Sequence, residues 1–146
     1  MTVKIATSDD DIRRCLPAIL ALRTHLTSEE AFDRIRSQQA SDGFVMAFVD
    51  TGNSSELVPG VVGYRFLNFL HSDKTLYIDD LSTLPEGRGK GYASALLDFV
   101  IEQARQVGCR CVSLDSGQNP ARYSAHRLYL NKRFNITSHH FHLDLQ

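Results

Sequence analysis

The sequence predicts a mixed α/β fold, a single sheet flanked by helices. Three observations predict it. Strand-length runs rich in β-branched and aromatic residues follow one another in mid-chain, amphipathic segments of helical period stand before and after them, and Gly or Pro marks most changes of period. A chain of 146 residues suits one domain, 1–146, that buries roughly two-thirds of its unfolded surface. With 42% hydrophobic and 23% charged residues the chain is not of the disordered class. Because 16 Lys and Arg face 17 Asp and Glu, no strong pull toward nucleic acid is expected. No apolar run approaches the roughly 18 residues of a membrane span, and "MTVKIATSDDD" lacks a secretory pattern, so the expected location is the cytoplasm, away from membranes.

In chain order, "VKIAT" opens as a short strand. Ser8 followed by Asp9, Asp10 and Asp11 supplies a cap and negative charge for a helix over about 9–26, with Ile12, Leu16, Ile19 and Leu26 on its apolar positions and Pro17 as a point of bending. Thr27 and Glu30 have capping-box spacing and start a second, more polar helix ending near Ser41–Asp42–Gly43. "GFVMAFVD", "GVVGYRFLNFL" and "TLYIDDLSTL" then read as three consecutive antiparallel strands.

From Tyr92 to Val107 the apolar stripe Ala93, Leu96, Leu97, Val100, Ala104 and Val107 predicts a helix, stopped by Gly108. "CRCVSLD" reads as a strand with Cys109 and Cys111 on one face as free, hydrophobe-like thiols. Pro120 opens a helix to about Asn131, and "NITSHHFHLDLQ" reads as a closing strand. The expected order is β-α-α-β-β-β-α-β-α-β, with a parallel, right-handed crossover around residues 76–115. Cys15, Cys109 and Cys111 form neither a disulfide framework nor a zinc pattern and fit a reducing compartment. His140 and His142 alternate onto one face of the closing strand, but no further ligand stands nearby, so no metal is expected.

"LPEGRGKGYASALLDFV" places Gly87, Gly89 and Gly91 with Arg88 and Lys90 at the mouth of the central helix. A helix N-terminus offers unpaired N–H groups, glycines let a ligand approach the backbone, and the two cations add charge, which together suit a diphosphate. No Lys-Ser or Lys-Thr pair follows, as a P-loop requires, and the glycines lack dinucleotide-fold spacing.

"RGKGYA", Arg88 to Ala93, resembles the acyl-CoA pyrophosphate signature Q/R-x-x-G-x-G/A of the Gcn5-related N-acetyltransferases. Asn119, Ala125, Tyr129 and Phe134 resemble that family's downstream series, with Arg133–Phe134 in place of the usual Gly-Phe, and the element order matches over essentially the whole chain. The resemblance implies acetyl-CoA as co-substrate, transfer to the primary amine of a small molecule or protein, and room for a homodimer. It implies that backbone from Arg88, Gly89, Lys90, Gly91, Tyr92 and Ala93 holds the pyrophosphate, that Leu81, Ser82 and Thr83 line the pantetheine arm where strands splay, and that Asn119 belongs to the cofactor site.

It also implies Tyr129 as the general acid for the leaving thiolate and Asp79, ahead of Asp80 or a water relay, as the base. Strand alternation puts Asp79 and Asp80 on opposite faces. Arg122, His126, Tyr129 and Arg133 share one helical stripe, where His126 either tunes the tyrosine or, the preferred reading, faces solvent. The competing readings are a non-catalytic acyl-CoA sensor or interaction module, which would be free to lose Tyr129, and a nucleotide-phosphate binder, which neither motif favours.

Overall fold

The computed structural model describes residues 1–55 and 57–146. The chain packs as two units, Met1–Leu114 and Asp115–Gln146. In the first, strands β1 (Thr2–Ile5), β2 (Val45–Asp50), β3 (Gly60–Phe69), β4 (Asp73–Thr83) and β5 (Cys111–Leu114) form one sheet in sequence order. Pairing is antiparallel from β1 to β4. β4 and β5 are parallel, joined by helix α3 (Tyr92–Val107), as the strand–helix–strand pattern predicted.

Helix α1 (Asp9–Leu22) starts where Ser8 accepts the N–H of Asp11 at 3.1 Å, and Pro17 sits within it. It ends four residues earlier than expected, because Arg23 leaves helical geometry and turns its guanidinium toward β4. Helix α2 (Ser28–Ser41) begins on the predicted capping box: Thr27 accepts from the N–H of Glu30 and Glu30 from the N–H of Thr27. Met46 and Phe48 of β2 join Ile12, Cys15, Leu16 and Ile19 of α1 in one core cluster. Ala47 and Val49, which alternate to the other face, are equally buried, and α3 packs on β3 and β4 through Leu96, Leu97, Val100 and Ala104. A strand buried on both faces explains why "VMAFV" is continuously apolar. Burying each leucine of α3 contributes about 2 kcal/mol.

α3 closes at Gly108 (φ +83°), with the N–H of Cys109 donating to the carbonyl of Ala104 at 2.8 Å. That closure holds Cys109 outside β5, so the two cysteines do not share a strand face as predicted. Cys111 alone is in the strand, its Sγ 3.3 Å from Thr75 Oγ1.

The second unit contains a one-turn 3-10 helix (Pro120–Arg122) and helix α4 (Tyr123–Asn131). The expected closing strand is not formed: among the described residues none after β5 is in a strand. The alternation of Phe141, Leu143 and Leu145 is strand-like, but a strand exists only through ladder bonds to a neighbour, and these side chains are exposed. The predicted stripe of α4 also stops short of Arg133, which lies past the helix at φ +71°.

There the chain makes a Schellman closure. The N–H of Phe134 donates to the carbonyl of Tyr129 and the N–H of Arg133 to that of Leu130, both at 3.0 Å, and the rings of Tyr129 and Phe134 lie 6.0 Å apart. Arg133 occupies the left-handed position that glycine usually fills. Arg133→Gly is therefore expected to raise stability by about 0.5–1 kcal/mol, the relief of left-handed strain exceeding the entropy cost of glycine. Thermal unfolding checks this; an unchanged or lower midpoint would show that the arginine side chain contributes more than its backbone costs.

Candidate active site

β4 carries one residue more than β3 across their ladder. Asp80 pairs with Gly63 and Ile78 with Tyr64, which leaves Asp79 in a β-bulge. The bulge breaks strand alternation, so Asp79 and Asp80 do not face opposite sides as predicted: both line one cavity of about 430 Å³, bounded by Arg23 at the end of α1, Arg34 and Gln38 of α2, and Tyr77 of β4. Gly63 makes room for this arrangement. A Cβ there would stand 2.4 Å from Phe44 Cζ and 3.0 Å from Asp80 Oδ2.

The two carboxylates are held differently. Both oxygens of Asp79 accept from Arg65, Oδ1 from Nε at 3.0 Å and Oδ2 from a terminal nitrogen at 2.6 Å, and that nitrogen also donates to Gln38 Oε1. This fork raises the guanidinium's pKa above its ordinary value. Among the described residues Asp80 uses only Oδ1, which accepts from Arg23 Nε at 2.8 Å, while another Arg23 nitrogen donates to the carbonyl of Asp79. Burial raises the Asp80 carboxyl above the usual aspartate value, against the opposing charge and hydrogen bond of Arg23; Asp79 adds a smaller push upward.

Neither Arg23 nor Arg65 is singled out by a sequence motif. Arg65 had a signal, a lone charge inside the apolar run "GVVGYRFLNFL". Arg23 had none, because only the fold brings the end of α1 to β4.

The bulge also marks a change in pairing. β4 and β5 pair from Thr75↔Cys111 to Ile78↔Leu114, whereas β4 continues to Thr83 on β3 alone. The backbone of Asp79, Asp80, Leu81, Ser82 and Thr83 thus runs on past the end of the β5 ladder.

After Thr83 the chain makes a 3-10 turn (Pro85–Gly87) and reaches α3 through Arg88–Gly91. Gly89 and Gly91 have φ of +76° and +83°, and Gly91 is the N-cap of α3 with no side-chain cap and no acidic residue in the first turn. The first intrahelical donor is the N–H of Ala95, which leaves those of Tyr92, Ala93 and Ser94 pointing out of the helix end. Arg88 and Lys90 are exposed and make no salt bridge among the described residues.

In the second unit, Asn119 precedes the 3-10 turn and Arg122 N–H donates to its carbonyl. Tyr129 is buried; burial raises its phenol above the ordinary tyrosine value, opposed by the charge and hydrogen bond of Arg122. His126, half-buried, is hydrogen-bonded to Ser116 Oγ at 3.0 Å, and His140 lies 3.5 Å from Asp115. Among the described residues no group of three or more His, Cys, Asp or Glu side chains is placed to hold a metal.

A family model described as Acetyltransferase (GNAT) family matches residues 10–135. Among curated proteins, the uncharacterized N-acetyltransferase YhdJ of Bacillus subtilis is 32% identical over 140 residues, 95% of each chain. Two solved structures share the fold: an acetyltransferase of Trypanosoma brucei, at TM-score 0.79 and 20% identity over 99% of both chains, and a predicted acetyltransferase with acetyl-CoA from Clostridium acetobutylicum, at TM-score 0.71 and 15% identity over 99% of this chain and 97% of that one.

Proposed function

The chain belongs to the acetyltransferase (GNAT) family, and from that premise we propose that residues 1–146 work as one domain that moves an acetyl group from acetyl-CoA to the primary amine of a small molecule or peptide. The observation that carries the reading is the β4 bulge, which gathers two carboxylates into one cleft beside the point where β4 outruns β5.

The residues present fit the coenzyme. Uncapped N–H groups at the start of α3, two left-handed glycines and the free cations of Arg88 and Lys90 match a pyrophosphate in charge and donor count. Bound acetyl-CoA supplies a thioester whose acetyl group passes to the amine nitrogen, a C–N bond forming as the C–S bond breaks. The backbone of Leu81, Ser82 and Thr83 orients the pantetheine arm as an added strand would, and Asn119 assists in holding the coenzyme.

Asp80 is preferred to Asp79 as the base. Its Oδ2 carries no hydrogen bond among the described residues and its raised pKa favours accepting a proton, whereas Arg65 holds both oxygens of Asp79. Tyr129 gives its phenolic proton to the departing sulfur. Three free cysteines support a reducing, cytoplasmic location, and among the described residues no helix is long and apolar enough to cross a membrane.

Thiol release from acetyl-CoA in the presence of an amine panel tests the reading. Amine-dependent release is expected; coenzyme binding without release from any amine would favour a sensor. Gly91→Val tests the cradle, since a β-branched residue at φ +83° forces the loop to move. CoA affinity should fall about 30-fold, equivalent to about 2 kcal/mol, in a variant that circular dichroism shows to be folded. Unchanged affinity would place the pyrophosphate elsewhere.

A further inference from the structure

We propose that the acceptor amine also carries an anionic group, a carboxylate or a phosphate, and that Arg34 is the residue that selects it. The proposal rests on the acetyltransferase reading and names the substrate class of the same cleft.

The argument is one of charge already committed. Three guanidiniums, those of Arg23, Arg34 and Arg65, stand in or directly behind the cleft wall, whose carboxylates are Asp79 and Asp80; Asp42, outside the wall, acts on Arg65 only through space. Arg65 is committed to Asp79 and Gln38, and Arg23 to Asp80 and the carbonyl of Asp79. Arg34 makes no ion pair or hydrogen bond among the described residues. Glu30, one turn earlier on α2, acts on Arg34 only through space, and its Oε1 is engaged by the N–H of Thr27.

This surplus of positive charge decides between substrate classes. A polyamine would find both carboxylates paired and a third guanidinium repelling its distal ammonium. An amine bearing a carboxylate or phosphate would meet a planar five-donor fork to which no carboxylate is bonded among the described residues. Gln38, one turn beyond Arg34 on α2, holds Arg65 through Oε1, which leaves its amide NH2 as a second donor in the wall. The cavity of about 430 Å³ suits a small molecule.

The test uses matched amines that differ by the anion: alanine against ethylamine, O-phosphoethanolamine against ethanolamine, and spermidine as the polycation. Thiol release from acetyl-CoA gives kcat/KM, and calorimetry on the CoA-saturated protein gives binding of each amine without chemistry. At least one anionic member is expected to exceed its counterpart lacking the anion by about tenfold or more, the size expected for a charge-assisted contact at an exposed site. Arg34→Ala should remove that gap and Arg34→Lys restore part of it, with CoA affinity unchanged. The carboxylate and phosphate arms tell which anion is read.

Preference for ethylamine, ethanolamine or spermidine would overturn the proposal, as would a gap that survives Arg34→Ala or the absence of binding by both anionic amines. Failure of CoA to bind would strike the acetyltransferase reading instead, and amine calorimetry on the unloaded protein would still decide the role of Arg34.

Discussion

Asp80→Asn should lower turnover about 10²- to 10³-fold while leaving CoA affinity within about twofold, the loss expected when a positioned base is removed. Asn matches the shape of Asp beside Gly63, and its amide oxygen can still accept from Arg23 Nε, so the substitution removes basicity and little else. The pH dependence adds a second readout. Burial puts the Asp80 pKa above the usual aspartate value, so kcat/KM in the parent should rise with pH as this carboxyl ionises, on a limb that the Asn variant lacks. Any limb from the amine's own titration remains in both.

The stability sign is opposite to that of an ordinary salt-bridged aspartate. A folded pKa above the unfolded one means that the folded state binds the proton more tightly, so ionisation makes Asp80 destabilising as pH rises through its folded pKa. At neutral pH the Asn variant is therefore spared a burial cost while losing the attraction to Arg23, and large unfolding is not expected. Asp79→Asn should behave the other way, costing stability by breaking the fork to Arg65 and sparing more of the rate. If the two variants exchange these behaviours, Asp79 is the base; if neither slows the reaction at any pH, water carries the proton.

What the sequence made legible follows from the range of the interaction concerned. The capping box at Thr27, the apolar stripe of α3 and the Gly108 stop are set within a turn or two of chain; the first and last are found where the residues place them, and the stripe is buried at Leu96, Leu97, Val100 and Ala104, whereas Ala93 is half-buried and Val107, at the helix end, is exposed. The glycine-and-cation loop was legible for the same reason. The acidic cleft was only half legible. "YIDDL" shows two carboxylates, but the bulge that turns them to one side depends on a partner strand and on the space left by Gly63, more than a dozen residues away. The end of α1 was misjudged because hydrophobic periodicity continues to Leu26, whereas Arg23 is drawn off by Asp80, 57 residues along the chain. The closing strand failed for a related reason: alternation specifies which side chains share a face, and only a hydrogen-bonded neighbour makes the segment a strand.

Tyr129→Phe is expected to lower turnover about 10²-fold, at the lower end of general-acid contributions because water can partly replace the donor. Affinity for acetyl-CoA should change little, since the phenolic proton matters only as charge builds on the departing sulfur. The substitution tests the hydroxyl alone. Phe keeps the ring that packs against Phe134, and the closure of α4, in which the Tyr129 carbonyl accepts the N–H of Phe134, uses only backbone. Burial raises the phenol above its ordinary value of 10.0 despite the opposing Arg122, so the donor form persists through neutral pH and the parent should lose activity only on the alkaline side of that value. Arg122→Ala should move that alkaline limb further up, because it removes the group that holds the phenol down, and a limb that moves this way belongs to Tyr129 rather than to the amine. A folded Tyr129→Phe variant that binds CoA normally and acetylates at the parent rate across pH would make the tyrosine structural, and the thiolate would then take its proton from solvent.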